Sequence, residues 1–525
     1  MSLDLLIENG EVVDGLGTQR HIANVGIKHD SIVYVGSDRP AASTTINASQ
    51  LVVAPGFVDI HTHEDLWLLH NPSGVEKLCQ GVTTLIVGNC GFSAAPLRLG
   101  REKLVQEESI LNFVDIQWDW HSMKEYLERL GGVDLGINVG TFVGHNVIRI
   151  GVMGMDRRAP TGNELDEMKE LTRNALTDGA YGLSTGLIYV PGIYSETNEL
   201  IELSKVVAER DGLYVSHIRG EGSTLELAVQ EALRIGREAK VRVQISHHKA
   251  SGRSNWGRVE KTLREIESAR AEGVDVACDV YPYNAGNTGL VTLMPSWVFT
   301  SGPAAAEQRI KDPQTRKKIT SEMMTPDTNE ERPLVDTGPE NIIISQCKPN
   351  PAIEGKSLAR IAEENHCDPA EATLDLIQIY GRSILIILFE MSEQDVERVV
   401  RHPLSLIASD SVNPTGRPHP RVYGTSSRIL TNFVREKHLL TLEEAVKKMS
   451  SMPASRIGLR DRGTIKVGSK ADIIIFDLAS VQDRATFSDP AQLAEGMRYV
   501  FVNGKKTVEN GEVTTQRSGR VLRHS

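Results

Sequence analysis

A strand-then-helix unit repeats at intervals of about 30 residues through the middle of this 525-residue chain, and no other feature limits the fold as strongly. Residues 163–178 carry Leu165, Met168, Leu171 and Ala175 at helical spacing, and Gly179 follows as a stop. A strand over 181–187, a helix over 197–210 and a strand over 213–217 come next. Helix 224–239, strand 241–247, helix 255–272 and strand 274–281 extend the series. Such repeats predict an α/β fold on a parallel sheet, either open and doubly wound or closed into a barrel.

The two ends of the chain read differently. Residues 5–8, 24–28 and 32–35 are short β-prone runs separated by turn sequences, and 471–476 and 499–502 repeat the pattern before a turn at Asn503-Gly504. Neither end is large enough to bury a core alone, so the two are expected to pair into one small β domain. Between 286 and 341 the rhythm breaks over six prolines, and this stretch reads as an insertion over the active site. The expected division is therefore 1–53 and 461–525 for the β domain, 54–285 and 346–460 for the barrel, and 286–345 for the insertion.

The polar residues at the strand ends decide between the two sheet types. The apolar run from Ala54 ends in His61-Thr62-His63, and on a strand residues i and i+2 share a face about 6.6 Å apart, which suits two imidazoles converging on one ion. His217 closes the strand over 213–216, His247 closes 243–246, and Asp410 closes 404–409. Five ligand-type side chains at the C-terminal ends of four strands point to the mouth of a (β/α)8 TIM-like barrel, where catalytic groups gather. Histidine and aspartate suit zinc or a related divalent ion, which would activate water and polarise a carbonyl. Asp410 is then the best-placed group to accept the proton of that water, with plain metal ligation as the alternative. Lys249, two residues after His247, is expected to face the same mouth.

With its H-x-H pair, later single histidines and final aspartate, the chain resembles the amidohydrolase superfamily over almost its full length, including the split β domain and the run Gly468-Ser469-Lys470-Ala471-Asp472. Many two-metal members bridge their ions with a carboxylated lysine, and no good candidate precedes His217. Instead Gly88-Asn89-Cys90-Gly91 follows an apolar run and resembles the N-acyl-D-amino-acid deacylases. That resemblance implies Cys90, His217 and His247 around one tightly bound zinc, with His61, His63 and Asp410 as a weaker or vacant second site. It further implies Arg421 and Tyr283 as groups for the substrate carboxylate, although Tyr281 could serve instead of Tyr283. The activity implied is hydrolysis of N-acyl-D-amino acids, and the D configuration comes from the resemblance alone.

A formal net charge of −11 argues against nucleic acid or an anionic membrane as partner. Five widely spaced cysteines are no disulfide framework and fit a reducing cytoplasm. No leader or membrane-length apolar run is visible, so the expected protein is soluble and cytoplasmic, with a small-molecule substrate and an oligomeric state left open. Two other readings stay on the table: a cyclic amidohydrolase of hydantoinase or dihydroorotase type, and a non-catalytic scaffold on the same fold.

Overall fold

A computed structural model describes residues 2–109, 111, 114–326, 330–412 and 414–524. Eight short parallel strands form its centre: β1 (Phe57–Asp59), β2 (Val82–Val87), β3 (Asn138–Thr141, continued by Val143–Gly144), β4 (Gly182–Gly186), β5 (Leu213–His217), β6 (Arg242–Ile245), β7 (Val276–Val280) and β8 (Ser405–Ile407). Each pairs with the next in chain order. The ring closes beyond the strand ends, where Thr62 bridges Ser411, Asp410 N–H donates to His61 O at 2.8 Å and His63 N–H donates to Ser411 O at 2.8 Å. The sheet is therefore a (β/α)8 barrel, and its closing seam lies at two of the expected ligands.

Local signals explain the outer helices. Gly162–Asp178 starts at Thr161, whose side chain accepts from Glu164 N–H while Glu164 returns the bond, and it ends at Gly179 with φ 119°. Its buried positions Met168, Thr172, Ala175 and Leu176 form one stripe against the barrel. Among the described residues no helix is long and apolar enough to cross a membrane.

Nine strands from both chain ends form a second sheet. Its seam is Val52–Pro55, antiparallel to Ile473–Phe476. The apolar run read as a single strand into His61 is thus shared between two sheets, and Gly56 marks the break: a Cβ there would stand 2.2 Å from the Thr83 side chain. The C-terminal tail leaves this sheet and returns to the barrel, where Leu522 N–H donates to Val139 O at 2.7 Å.

Gly286–Gly289, Ile342–Gln346 and Leu385–Leu388 make a small antiparallel sheet with an apolar cluster running from Leu290 to Leu388. The boundary expected at 345 falls inside this sheet, so we place the end of the inserted unit near 388. Its prolines are helix starters as well as breakers: Pro303, Pro313, Pro333 and Pro369 each open a helix, where the missing N–H leaves no bond unmade.

Candidate functional site

The strand ends of the barrel open into a cavity of about 900 Å³ whose far wall belongs to the inserted unit through Thr288, Met294, Glu331 and Leu385. At its floor, two groups of side chains have ligand atoms within 4.8 Å of one another: His61, His63, Cys90 and Asp410, and Cys90, His217 and His247. The six ligand-type residues expected from sequence are therefore brought together, and Cys90 belongs to both groups.

The backbone aims them. Cys90 (φ 50°), His247 (φ 34°) and Asp410 (φ 50°) all adopt a left-handed conformation unusual for residues other than glycine. Such residues persist where the surroundings over-determine them, and they cluster at functional sites. Around Cys90 the G-N-C-G sequence has a steric reason. Gly88 has φ 78° with Phe142 O only 2.3 Å from where a Cβ would stand, and Gly91 has φ 79° with Gly186 N at 2.8 Å. Asn89 Nδ2 reaches Ile86 O at 2.9 Å and Ile60 O at 3.3 Å, tying this turn to the end of β1.

The ring atoms converge as the i, i+2 argument requires. His61 Nε2 lies 3.3 Å from Cys90 Sγ and 3.2 Å from Asp410 Oδ1, and His63 Nε2 lies 3.2 Å from the same carboxylate oxygen. His247 Nε2 faces Cys90 Sγ at 3.6 Å, while its Nδ1 lies 2.9 Å from both Glu221 Oε1 and Lys249 Nζ. His248 turns away to Thr262 Oγ1 at 2.8 Å, as alternation on a strand predicts.

Charge is concentrated here on buried side chains. Burial works to raise the Cys90 thiol, but the charge of His61 and the contacts from His247 and His61 hold it well below the usual thiol range, which favours the thiolate. Burial likewise opposes ionisation of Asp410, and Arg421 followed by His61 overrules it. Burial lowers His217, whereas His247 stands at about 8: burial and Lys249 pull it down and Glu221 pulls it up. Both ring nitrogens of His217 and Nδ1 of His63 are buried with no hydrogen-bond partner. Orphaned imidazole nitrogens beside a thiolate and a carboxylate fit a divalent cation of zinc type.

Two acidic residues at this site gave no clear sign in the sequence. Glu221 accepts from Lys249 Nζ at 2.6 Å and stands behind both His217 and His247. Asp279 on β7 accepts His247 N–H at 2.8 Å and lies 3.2 Å from His61 Nδ1. Carboxylates in this position fix the tautomer and orientation of ligating histidines. The spacing His217…Glu221 and the acid alternating with apolar residues in β7 were the available hints.

Lys249 lies in the cavity wall as expected. Tyr283 requires a correction. The chain folds back at Pro282, with Tyr283 N–H bonded to Tyr281 O at 3.0 Å, so the two rings diverge. Tyr283 packs on His419 and Phe487 outside the cavity, while Tyr281 lines it and lies under the Arg421 guanidinium at 4.5 Å. Arg421 is fully buried just behind that ring, 2.9 Å from Asp410 Oδ2 without hydrogen-bond alignment, and its guanidinium nitrogens lack hydrogen bonds.

Comparison with known proteins gives a consistent picture. Residues 44–508 match the family model described as "Amidohydrolase family". A D-aminoacylase of Alcaligenes xylosoxydans xylosoxydans is 36% identical over 522 residues, spanning 99% of this chain and 97% of that enzyme. The crystal structure of N-acyl-D-glutamate deacylase from Bordetella bronchiseptica, complexed with zinc and a phosphonate mimic of the tetrahedral intermediate, matches with a TM-score of 0.85 and 34% identity over the whole of both chains. A D-aminoacylase structure concerned with the role of a binuclear metal centre also matches at TM-score 0.85 and 34% identity, over 99% of this chain and all of that one.

Proposed function

Because the chain belongs to the amidohydrolase family, we propose that it hydrolyses the amide bond of N-acyl-D-amino acids, giving a D-amino acid and a carboxylate. One observation carries the reading: two ligand groups joined by the Cys90 thiolate stand in the same cavity as Lys249 and Tyr281, with Arg421 behind them. A linear amide is favoured over a cyclic one by Cys90 taking the position shared by the two ligand groups. The D configuration is supported by the relatives and by nothing in the geometry.

Cys90, His217 and His247 would hold the tighter ion, and His61, His63 and Asp410 a second, weaker one. When bound, the ion supplies Lewis acidity that polarises the scissile carbonyl and makes water easier to deprotonate. Asp410 Oδ1 faces the ligand cluster, so it is the atom that takes the proton of the attacking water and returns it to the leaving amine. Glu221 keeps His247 oriented through Nδ1. Lys249, Tyr281 and Arg421 receive the substrate carboxylate, for which a guanidinium offers a planar pair of donors. Arg421→Ala is expected to raise KM at least tenfold for N-acetyl-D-amino acids and to leave zinc content unchanged. An unaltered KM would remove Arg421 from the carboxylate site.

The cavity's other buried or half-buried cations are engaged. Arg219 holds Glu231 at 2.8 Å, Arg332 lies 3.2 Å from Glu330 Oε2, and Arg382 pairs with Glu108. A second carboxylate on the substrate would have to displace one of these partners. N-acetyl-D-leucine or N-acetyl-D-methionine is therefore expected to give at least tenfold higher kcat/KM than N-acetyl-D-glutamate, with the L-enantiomers inert. A steady-state panel of these substrates tests both statements: a D-glutamate preference would overturn the first, and equal turnover of L-substrates the second.

A further inference from the structure

Lys77 is buried beneath the cavity floor, outside both ligand groups, and its ammonium reaches four acceptors. Nζ lies 2.6 Å from Ser411 Oγ, 2.9 Å from Ser409 Oγ, 3.2 Å from Asp59 Oδ2 and 3.4 Å from Glu64 Oε1. An ammonium has three protons, so the three nearer atoms receive hydrogen bonds and Glu64 is reached as an ion pair. With both serine oxygens accepting from Lys77, each hydroxyl keeps its own proton for a carboxylate. Ser411 Oγ, accepting from Lys77, donates to Glu64 Oε1 at 2.8 Å, and Ser409 Oγ donates to Asp59 Oδ2. Asp59 Oδ1 in turn accepts Ser409 N–H at 2.9 Å.

The two serines are the immediate neighbours of Asp410, and Asp59 and Glu64 flank His61 and His63. We propose that Lys77 is a positioning residue for the reaction proposed above: it clasps Ser409 and Ser411 so that Asp410 holds its left-handed turn at the barrel's closing seam, with Oδ1 aimed between His61 and His63. The seam itself has few bonds, since among the described residues the backbone contributes only those around His61, His63 and Ser411. Side chains must therefore define the turn. A neutral or carboxylated lysine would not serve, because the first would leave Asp59 and Glu64 without a counter-charge and the second would add a third anion to the cluster.

The inference rests on the hydrolase reading, so its test has a readout that does not. Lys77→Met leaves two buried carboxylates unpaired and would be expected to lower stability; Lys77→Met combined with Asp59→Asn and Glu64→Gln removes that imbalance. For the triple variant, with fold verified by circular dichroism, we expect one tightly bound zinc as in the wild type. Affinity for a second zinc ion, measured by calorimetric titration, should fall at least tenfold. With N-acetyl-D-leucine or N-acetyl-D-methionine, kcat should fall at least 30-fold with KM changed less than threefold. A folded triple variant with second-ion affinity and kcat both within threefold of wild type would overturn the positioning role, as would parallel losses of kcat and of tight zinc. If the wild type turned over no N-acyl-D-amino acid, the hydrolase reading would fail, and second-ion affinity alone would still judge whether Lys77 sets the turn.

Discussion

Replacing Cys90 with serine is expected to strip the protein of its tightly held ion and of turnover together. Cys90 is the one side chain common to both ligand groups, so no other single substitution removes a donor from each. Its surroundings already favour the thiolate, the form that ligates metal. A serine hydroxyl of nearly the same shape stays protonated near neutral pH, so His217 and His247 would face a neutral oxygen. Losing a group that merely orients a ligand weakens metal binding by about 10–100-fold; losing the shared ligand should exceed about 100-fold. Turnover should fall by about 10³-fold or more once the Lewis acid is gone. The measurement is zinc content after dialysis against a graded chelator, with kcat from the same samples and circular dichroism for the fold. Wild-type retention of one zinc per chain at every chelator concentration would take the thiolate out of the ligand set.

The site is legible in the sequence to the extent that it is local. Histidines and an aspartate at predicted strand ends stay adjacent to their strands whatever the rest of the chain does, and the strand predicted over 213–217 is the strand observed. Lys249 could be placed because it shares a face with His247. What escapes a linear reading is partnership. Lys77 meets Ser411 across 334 positions of chain, and Glu221 and Asp279 serve histidines on other strands. A buried charge has the same letter as a solvated one, and only the fold supplies its partner.

Other departures have equally specific causes. The run from Ala54 to His63 has no polar interruption before Asp59, and an apolar pattern says that a segment is buried without saying in which sheet. Gly56 is where the chain passes from one to the other. Proline breaks the βα rhythm as expected, but at the first position of a helix its fixed φ also suits the helix that it opens. Tyr281 and Tyr283 would share a face on a continuing strand; β7 ends at Val280, and the fold-back at Pro282 separates them.

Asp410→Asn separates proton transfer from metal retention. Asparagine is nearly isosteric and tolerates the left-handed turn, so the seam and the clasp from Lys77 should survive. Cys90, His217 and His247 are untouched, and the tight ion should remain at wild-type occupancy. The amide has lost the capacity to take a proton from water at Oδ1 and return it to the leaving amine. General acid–base catalysis of this kind contributes about 10²–10⁴-fold, and kcat should fall within that range while KM moves less than about threefold. The buried Arg421 would lose its ion-pair partner at 2.9 Å, which leaves the guanidinium more available to a substrate carboxylate and works against any rise in KM. Near-normal kcat with full zinc would mean that Asp410 acts only as a ligand or structural group and that another base takes the proton. Loss of zinc alongside kcat would mean instead that the two ligand groups joined at Cys90 do not bind independently, and that Asp410 is part of what holds the tight ion.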